Sequence, residues 1–214
     1  MSSPLGNLMT GHDLGDLYSR DELERMFGSV GENVSVNRSV IFYSPKRIAL
    51  GSDVRIDCFG LISAGAEGIE FGDHVHISSY CCLIGSGGKI QLESFTGLAS
   101  RSTLYTATDD FSEGFMTGPT IPDKYRNVRT GDVVLRKHAV VGCGSVVLPG
   151  VTIGLAATVG ALSLVSKSVP EFAIVAGNPL RIIGQRNRRI LDFEKELLAE
   201  KGAKPPPLPG ESTA

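Results

Sequence analysis

Tryptophan is absent from the 214 residues, and cysteine and methionine occur only four times each. The spacing of Cys58, Cys81, Cys82 and Cys143 matches no zinc module. They lie among apolar residues, so buried free thiols in a reducing compartment are expected, with no disulfide or metal. No run of 18 apolar residues occurs, which leaves no candidate for a membrane-spanning helix. An excess of one charge is also missing. Lys and Arg number 21 against 23 Asp and Glu, a net charge of −2. That removes the electrostatic case for nucleic acid or an anionic membrane. The opening MSSPLGNLMTGHDLGDLYSR lacks the basic cluster and apolar stretch of a secretory leader, so a cytoplasmic location is expected.

Glycine, by contrast, is abundant at 26 residues, and 42% of the chain is hydrophobic. Glycine at that level without a Gly-X-Y period implies many tight turns. The length suits one sizeable core with small appendages. Residues 1–18 read as loosely ordered. Ser19 then opens S-R-D-E, a capping-box pattern with Glu22 at the third helical position. Leu23, Met26 and Phe27 give an apolar stripe, and Gly28 is a natural stop. Residues 1–31 are therefore expected to form an extension carrying one short helix.

From about residue 32 the helical period vanishes. Between Leu135 and Pro170 the chain divides into six-residue blocks: LRKHAV, VGCGSV, VLPGVT, IGLAAT, VGALSL, VSKSVP. The first position reads Leu135, Val141, Val147, Ile153, Val159, Val165. The fifth reads Ala139, Ser145, Val151, Ala157, Ser163, Val169. Six aliphatics in register define an internal repeat. Each block supplies one short strand and a bend, so three blocks make a triangular coil. Stacked coils hydrogen-bond along the axis and bury a continuous core. The expected fold is mainly β, a left-handed parallel β-helix over residues 32–184.

The same six-residue step joins Leu50, Ile56 and Ile62, then Phe71, Ile77 and Leu83, then Leu92, Leu98 and Leu104. The longer gaps at 62–71 and 83–92 imply corner insertions. The repeat stops after Leu104 and resumes at Leu135. The polar stretch between, about 105–134, is too long for an ordinary connection and is expected to project as a functional loop. Residues 171–184 are expected to form an irregular cap. Residues 185–201 read as a charged helix with Ile190, Leu191, Phe193, Leu197 and Leu198 on its apolar side. The tail KPPPLPGESTA reads as disordered, so 185–214 is a helix plus tail.

The repeat, the loop and the segment VSKSVPEFAIVAGNPLRIIGQR together resemble the hexapeptide-repeat acyltransferases over roughly residues 30–187. These include the galactoside and maltose O-acetyltransferases, the xenobiotic acetyltransferases and the N-acetyltransferases of nucleotide-linked amino sugars. The stretch A-G-N-P-x-R, Ala176 to Arg181, marks the members that use acetyl-CoA. The resemblance implies a homotrimer, with acetyl-CoA in the cleft between neighbouring β-helices and the acceptor near the projecting loop. It places Gly142, Gly160 and Ala161 along the pantetheine arm. Ser166 and Lys167 fall at the nucleotide end, and Arg181 is placed to pair with a phosphate. The glycines also suit tight corners in their own right, and the two cations also suit a solvated surface.

The resemblance also exposes a departure. The O-acetylating members carry a loop histidine in a stretch like Tyr-Thr-Ala-x-His-Pro. A hydroxyl needs such a base because its pKa lies far above neutrality. Here the stretch is Tyr105-Thr106-Ala107-Thr108-Asp109-Asp110, with Asp109 in the histidine's place. An amine is already nucleophilic when unprotonated, so Asp109, and beside it Asp110, are candidates to hold and orient one. Both also suit the opening of a turn. The phrase from Asp109 to Ser112, followed by Pro119-Thr120-Ile121-Pro122, resembles loops of sugar acetyltransferases in polysaccharide pathways.

Histidine bases remain an alternative. His74 and His76 are expected to face opposite ways, with His76 toward a cleft, and His138 is expected to line the cleft after the loop. The leading expectation is an N-acetyltransferase of a nucleotide-linked amino sugar in bacterial polysaccharide or lipopolysaccharide (O-antigen) biosynthesis. The alternatives are an O-acetyltransferase using His76 or His138, a zinc carbonic anhydrase needing three converging histidines, and a purely structural trimer.

Overall fold

A computed structural model describes residues 16–110, 112–200 and Gly202. The expectations of loose order for the first fifteen residues and of disorder for the proline-rich tail lie outside the described residues. The chain winds through about six turns of a left-handed β-helix, flanked by two helices.

Three parallel sheets form the faces of the coil. The first holds β1 (Ser29–Val30), β4 (Ile48–Leu50), β7 (Ile69–Phe71), β10 (Ile90–Leu92), β15 (Val133–Leu135) and β18 (Thr152–Ile153). The second holds β2 (Ser35–Val36), β5 (Arg55–Ile56), β8 (His76–Ile77), β11 (Gly97–Leu98), β16 (Val140–Val141) and β19 (Thr158–Val159). It ends in β21 (Ala173–Ala176) and an antiparallel β22 (Arg181–Gln185). The third holds β3 (Ile41–Tyr43), β6 (Leu61–Ala64), β9 (Cys82–Gly85), β12 (Thr103–Tyr105), β17 (Val146–Val147) and β20 (Leu164–Val165).

The inward aliphatics do what the repeat required. Ile77 pairs in register with Ile56 and Leu98, and Leu98 with Val141, so identical roles stack coil on coil. All of the first- and fifth-position residues from Leu135 to Val169 are buried. The earlier series from Leu50 to Leu104 is buried as well. The corner insertions lengthen the strands on either side of the third–first corner, so Ala64 on β6 and Ile69 on β7 add a further inward pair.

Corners are as regular as strands. Between the first and second faces, Asn33, Asp53, His74, Phe95, His138, Ala156 and Phe172 all take left-handed backbone conformations. Between the second and third faces, Phe59, Tyr80, Arg101, Gly144 and Leu162 do the same. Glycine is needed where coils touch. A Cβ on Gly65 would come within 1.9 Å of the Gly85 carbonyl oxygen.

The ends of the coil depart in part from expectation. Helix α1 (Arg20–Met26) has the capping box at Ser19 and Glu22. Leu23 and Phe27 are buried, and Phe27 meets Phe42 edge-on at 5.0 Å. The stretch expected as an irregular cap is instead regular. β21 extends the second face and β22 folds back on it. Helix α2 (Ile190–Glu200) buries Glu194 and Leu198, while Phe193 and Leu197 stay exposed. Ile190 and Leu191 are partly buried, so the expected apolar stripe fails only at Phe193 and Leu197, which the ion pairs of Glu194 turn outward. Cysteine burial also differs. Cys81 is buried, Cys58 and Cys82 are partly so, and Cys143 is exposed at a corner; all four are free.

Truncating one inward residue should leave a void the stacked coils cannot close. Leu98→Ala is expected to cost about 2–5 kcal/mol in denaturant unfolding. Glu67→Ala, on an exposed corner, should stay within about 0.5 kcal/mol of the parent.

Candidate functional site

The repeat is interrupted at the corner between the third and first faces, where the chain leaves β12 and re-enters at β15. The projecting segment is not shapeless. β13 (Ala107–Asp109) pairs antiparallel with β14 (Val128–Thr130), giving the excursion a two-stranded stem. Thr106 is buried at its base. Its hydroxyl donates to the Ile84 carbonyl at 3.0 Å and accepts from the Gly87 amide at 2.9 Å.

The acidic pair organises this loop. Asp110 is buried at the stem. One carboxylate oxygen accepts from the Ser112 hydroxyl at 2.6 Å and the Ser112 amide at 2.9 Å. The other accepts from Arg129 at 2.8 and 3.1 Å and from the Asn127 side chain at 3.1 Å. Hydrogen bonds from Ser112, reinforced by Arg129, hold its pKa down to about 2. Asp109 accepts from the Gly118 amide at 3.1 Å and from Arg126 at 3.1 and 3.3 Å. The Gly118 amide, then Arg126, lowers its pKa as well. Both carboxylates are therefore ionised and partnered within the loop.

The cofactor candidates lie along the corner between the second and third faces. Gly142 and Gly160 sit where successive coils nearly touch. A Cβ on Gly142 would fall 2.5 Å from the Ala161 amide nitrogen, and one on Gly160 would fall 2.9 Å from the Ala176 Cβ. Their amides already donate to Val159 and Val175 carbonyls at 2.8 and 2.7 Å. Packing alone thus requires glycine at both positions. Ala161 is exposed beside them. The corner runs down through Ala176 and Gly177 into a groove of about 550 Å³. Ser166, Lys167 and Arg181 line this groove together with Asn178 and Leu180. The adjacent Ser166 and Lys167 and the more distant Arg181 are thus gathered around one opening. It presents two cations and a hydroxyl, a donor set that fits the phosphorylated end of a nucleotide.

The histidines separate. Side chains two apart on a strand share a face, so strand alternation gave no basis for parting His74 from His76. His74 is not on the strand at all: it occupies the left-handed corner, where its ring stacks on Phe95 at 4.7 Å. His76 is on β8, exposed on the second face. Its Nε2 lies 2.9 Å from Asp57 Oδ2, while Arg55 donates to Asp57 Oδ1 at 2.7 Å. Burial raises the Asp57 pKa, but the bonds from Arg55 and His76 outweigh it and keep the group low. The next outward position below His76 is Gly97. A Cβ there would meet only the His76 carbonyl, at 4.0 Å, so a notch lies open beside the imidazole.

His138 does not line the loop's cleft. It sits at the first corner, buried beneath α2, stacked on Phe95 at 4.9 Å. Its Nε2 is 2.7 Å from Glu194, which also pairs with Lys137 at 2.7 Å. Burial lowers the His138 pKa more than Glu194 raises it. The Lys137 and His138 bonds outweigh burial at Glu194 and lower its pKa. The cluster reads as a neutral imidazole donating to a carboxylate that Lys137 compensates. It anchors α2, which explains the helix's docked side. No group of three or more metal-ligating side chains is found among the described residues.

No family model matches the chain. The chain is 37% identical over 171 residues to dTDP-4-amino-4,6-dideoxy-D-glucose acyltransferase of Escherichia coli, spanning 80% of this chain and 88% of that one. It is similar to AntD, an N-acyltransferase from Bacillus cereus, solved as a single-residue variant with dTDP-4-amino-4,6-dideoxyglucose and coenzyme A. The TM-score is 0.84 at 39% identity, over 87% of this chain and 98% of that one. AntD has also been solved with dTDP and 3-hydroxybutyryl-CoA, at TM-score 0.82, 38% identity and coverage of 88% and 100%.

The loop's ion pairs make its stability depend on pH. A carboxylate held below its unfolded pKa stabilises the fold above that value and loses this contribution as pH falls through its folded pKa. For Asp110 the window runs from 3.8 down to about 2. Pepsin should leave the loop intact near pH 4.5 and cut it progressively toward pH 2, with cleavage mapped by mass spectrometry. Asp110→Asn should open the loop to trypsin at Lys124 and Arg126 already at neutral pH.

Proposed function

The chain belongs to the hexapeptide-repeat sugar acyltransferases, and on that premise we propose that it transfers an acyl group from coenzyme A to the amine of a nucleotide-linked amino sugar. The observation that carries this reading is the loop. Where hydroxyl-acylating members hold a histidine base, this chain holds two carboxylates already committed to Arg126 and Arg129. A hydroxyl would find no base in that loop. An amine nitrogen can attack the thioester carbonyl unaided. The C–N bond forms, the C–S bond breaks, and the leaving thiolate can take the proton the nitrogen sheds.

The proposed site needs more than one copy of the chain. Gly142, Gly160 and Ala161 follow the second–third corner, whereas Asp109 and Asp110 project from the opposite edge of the third face. A homotrimer brings one subunit's loop to the corner of the next. The third face suits such contact, because its outward row runs Ile41, Leu61, Cys82, Thr103, Val146 and Leu164. Leu162, at its corner, is 78% exposed.

In this assembly the groove of Ser166, Lys167 and Arg181 holds the nucleotide end of coenzyme A, and the corner guides the pantetheine arm. The loop orients the sugar. AntD has been solved with a serine replaced and with an aspartate ten positions further on replaced. Ser100 and Asp110 reproduce that spacing (110 − 100 = 10), one on the cofactor corner and one in the loop. On that spacing we add Ser100, which the loop-centred sequence reading missed, whereas Asp110, its carboxylate already partnered by Ser112, Asn127 and Arg129, acts by holding the loop in shape. Acetyl is the acyl group we propose, although AntD has been solved with a larger thioester. No described helix is long and apolar enough to cross a membrane, and we place the enzyme in the cytoplasm, on a polysaccharide pathway.

Purified protein incubated with acetyl-CoA and dTDP-4-amino-4,6-dideoxyglucose should release free thiol. Neutral nucleotide sugars should not support release, and the reverse outcome would refute the amine reading. The hydroxyl alternative rests on the Asp57-bound His76. If His76 were the base, His76→Ala would lower the rate by about 10² or more; the amine reading expects a much smaller change.

A further inference from the structure

On the second–third corner, above the coils that carry Gly142 and Ala161, the chain presents an unusual column. Phe59, Tyr80 and Arg101 occupy the same left-handed corner position in three successive coils. Their amides define the stacking: Tyr80 donates to the Cys58 carbonyl at 3.0 Å, Arg101 to Ser79 at 3.1 Å, Gly144 to Ser100 at 3.0 Å, and Leu162 to Cys143 at 2.8 Å. The corner position before this column therefore runs Cys58, Ser79, Ser100, Cys143, Ala161. The proposed cofactor corner and this column are one continuous edge.

The side chains do not serve the core. Phe59 is 56% exposed and Tyr80 49% exposed, yet their rings stack at 5.2 Å. The Arg101 guanidinium lies 5.6 Å from the Tyr80 ring centre. Among the described residues no carboxylate lies within ion-pair distance of Arg101. A left-handed backbone suits Asn or Gly better than a bulky aromatic. Two half-exposed aromatic rings held there, beside a cation with no anionic partner, offer a flat apolar surface and a phosphate ligand together.

We propose that Phe59, Tyr80 and Arg101 form the subsite for the nucleotide of the acceptor, with the base against the two rings and the diphosphate on Arg101. This rests on the nucleotide-sugar reading above and assigns residues to it. Distances agree. Coils are spaced about 4.8 Å apart, so Ser100 shares a coil with Arg101, and the Phe59 ring belongs two steps, about 10 Å, further up. A sugar reacting near Ser100 would thus trail its diphosphate past Arg101 and its base toward Tyr80 and Phe59. Coenzyme A would approach from below, along Ala161 and Gly142, and the two nucleotides would occupy opposite ends of one edge.

The test uses the full-length protein and the variants Tyr80→Ala, Phe59→Ala and Arg101→Gln. Steady-state rates are compared for a dTDP-linked amino sugar and the same amino sugar without nucleotide, with dTDP as competing ligand. Each variant should raise the inhibition constant of dTDP at least about tenfold, the usual worth of one base stack or charge-assisted contact. Each should also erase most of the preference for the nucleotide-linked acceptor. Tyr80→Phe should keep both. Variants that bind dTDP within twofold of the parent overturn the subsite while leaving the function intact. So do variants whose assembly changes in sedimentation, since the column would then be a subunit contact. A parent enzyme that acylates free amino sugars and ignores dTDP overturns the nucleotide-sugar reading itself.

Discussion

Each coil of this protein satisfies its backbone hydrogen bonds with the coil above and the coil below, and with little else. A strand of two or three residues has no stability alone. It exists because its neighbours one turn away hold the same residue type in the same place, as Ile56, Ile77, Leu98, Val141 and Val159 do along the second face. That requirement reaches every other feature. It confines inward positions to aliphatics, demands glycine where backbones nearly touch, and lets a long insertion leave only at a corner, where no ladder bond is broken.

The same stacking turns corners into rulers. Side chains at equivalent corner positions line up along the axis at one coil spacing, so a corner is a graduated edge on which an extended ligand can lie. On one corner this gives the ladder of His74, Phe95 and His138 that ends under α2 through Glu194. On the next it gives the line from Ala161 through Ser100 to Tyr80 and Phe59. On the third it launches the loop, whose Asp109 and Asp110 are held by Arg126 and Arg129 from the returning strand. A triangular section separates these edges, so chemistry that needs both loop and corner calls for a second copy of the chain.

Periodic features were legible in the chain itself. The aliphatics from Leu135 to Val165 specify the fold because a six-residue period has one close-packed solution, and the capping box at Ser19 and Glu22 forms as its local chemistry dictates. Features set by pairings between distant residues were not legible. His138 reads as a polar residue on a coil near the loop, yet it is buried, because Glu194, 56 residues later, meets it under a helix. Phe193 and Leu197 read as a docking stripe, but the Lys137–Glu194 pair chose the other side. His74 and His76 are two apart, and only the corner conformation of His74 parts them.

The sequence by itself determined the β-helix, the place of the loop and the missing loop histidine, because each is a matter of period or of residue identity at one position. Only the tertiary structure decided which charges are spent internally and which remain available. Asp110 is saturated by Ser112, Asn127 and Arg129, whereas Arg101 stands beside two stacked rings. Those pairings span many residues and depend on which coil lies over which, and no spacing along the chain encodes that directly.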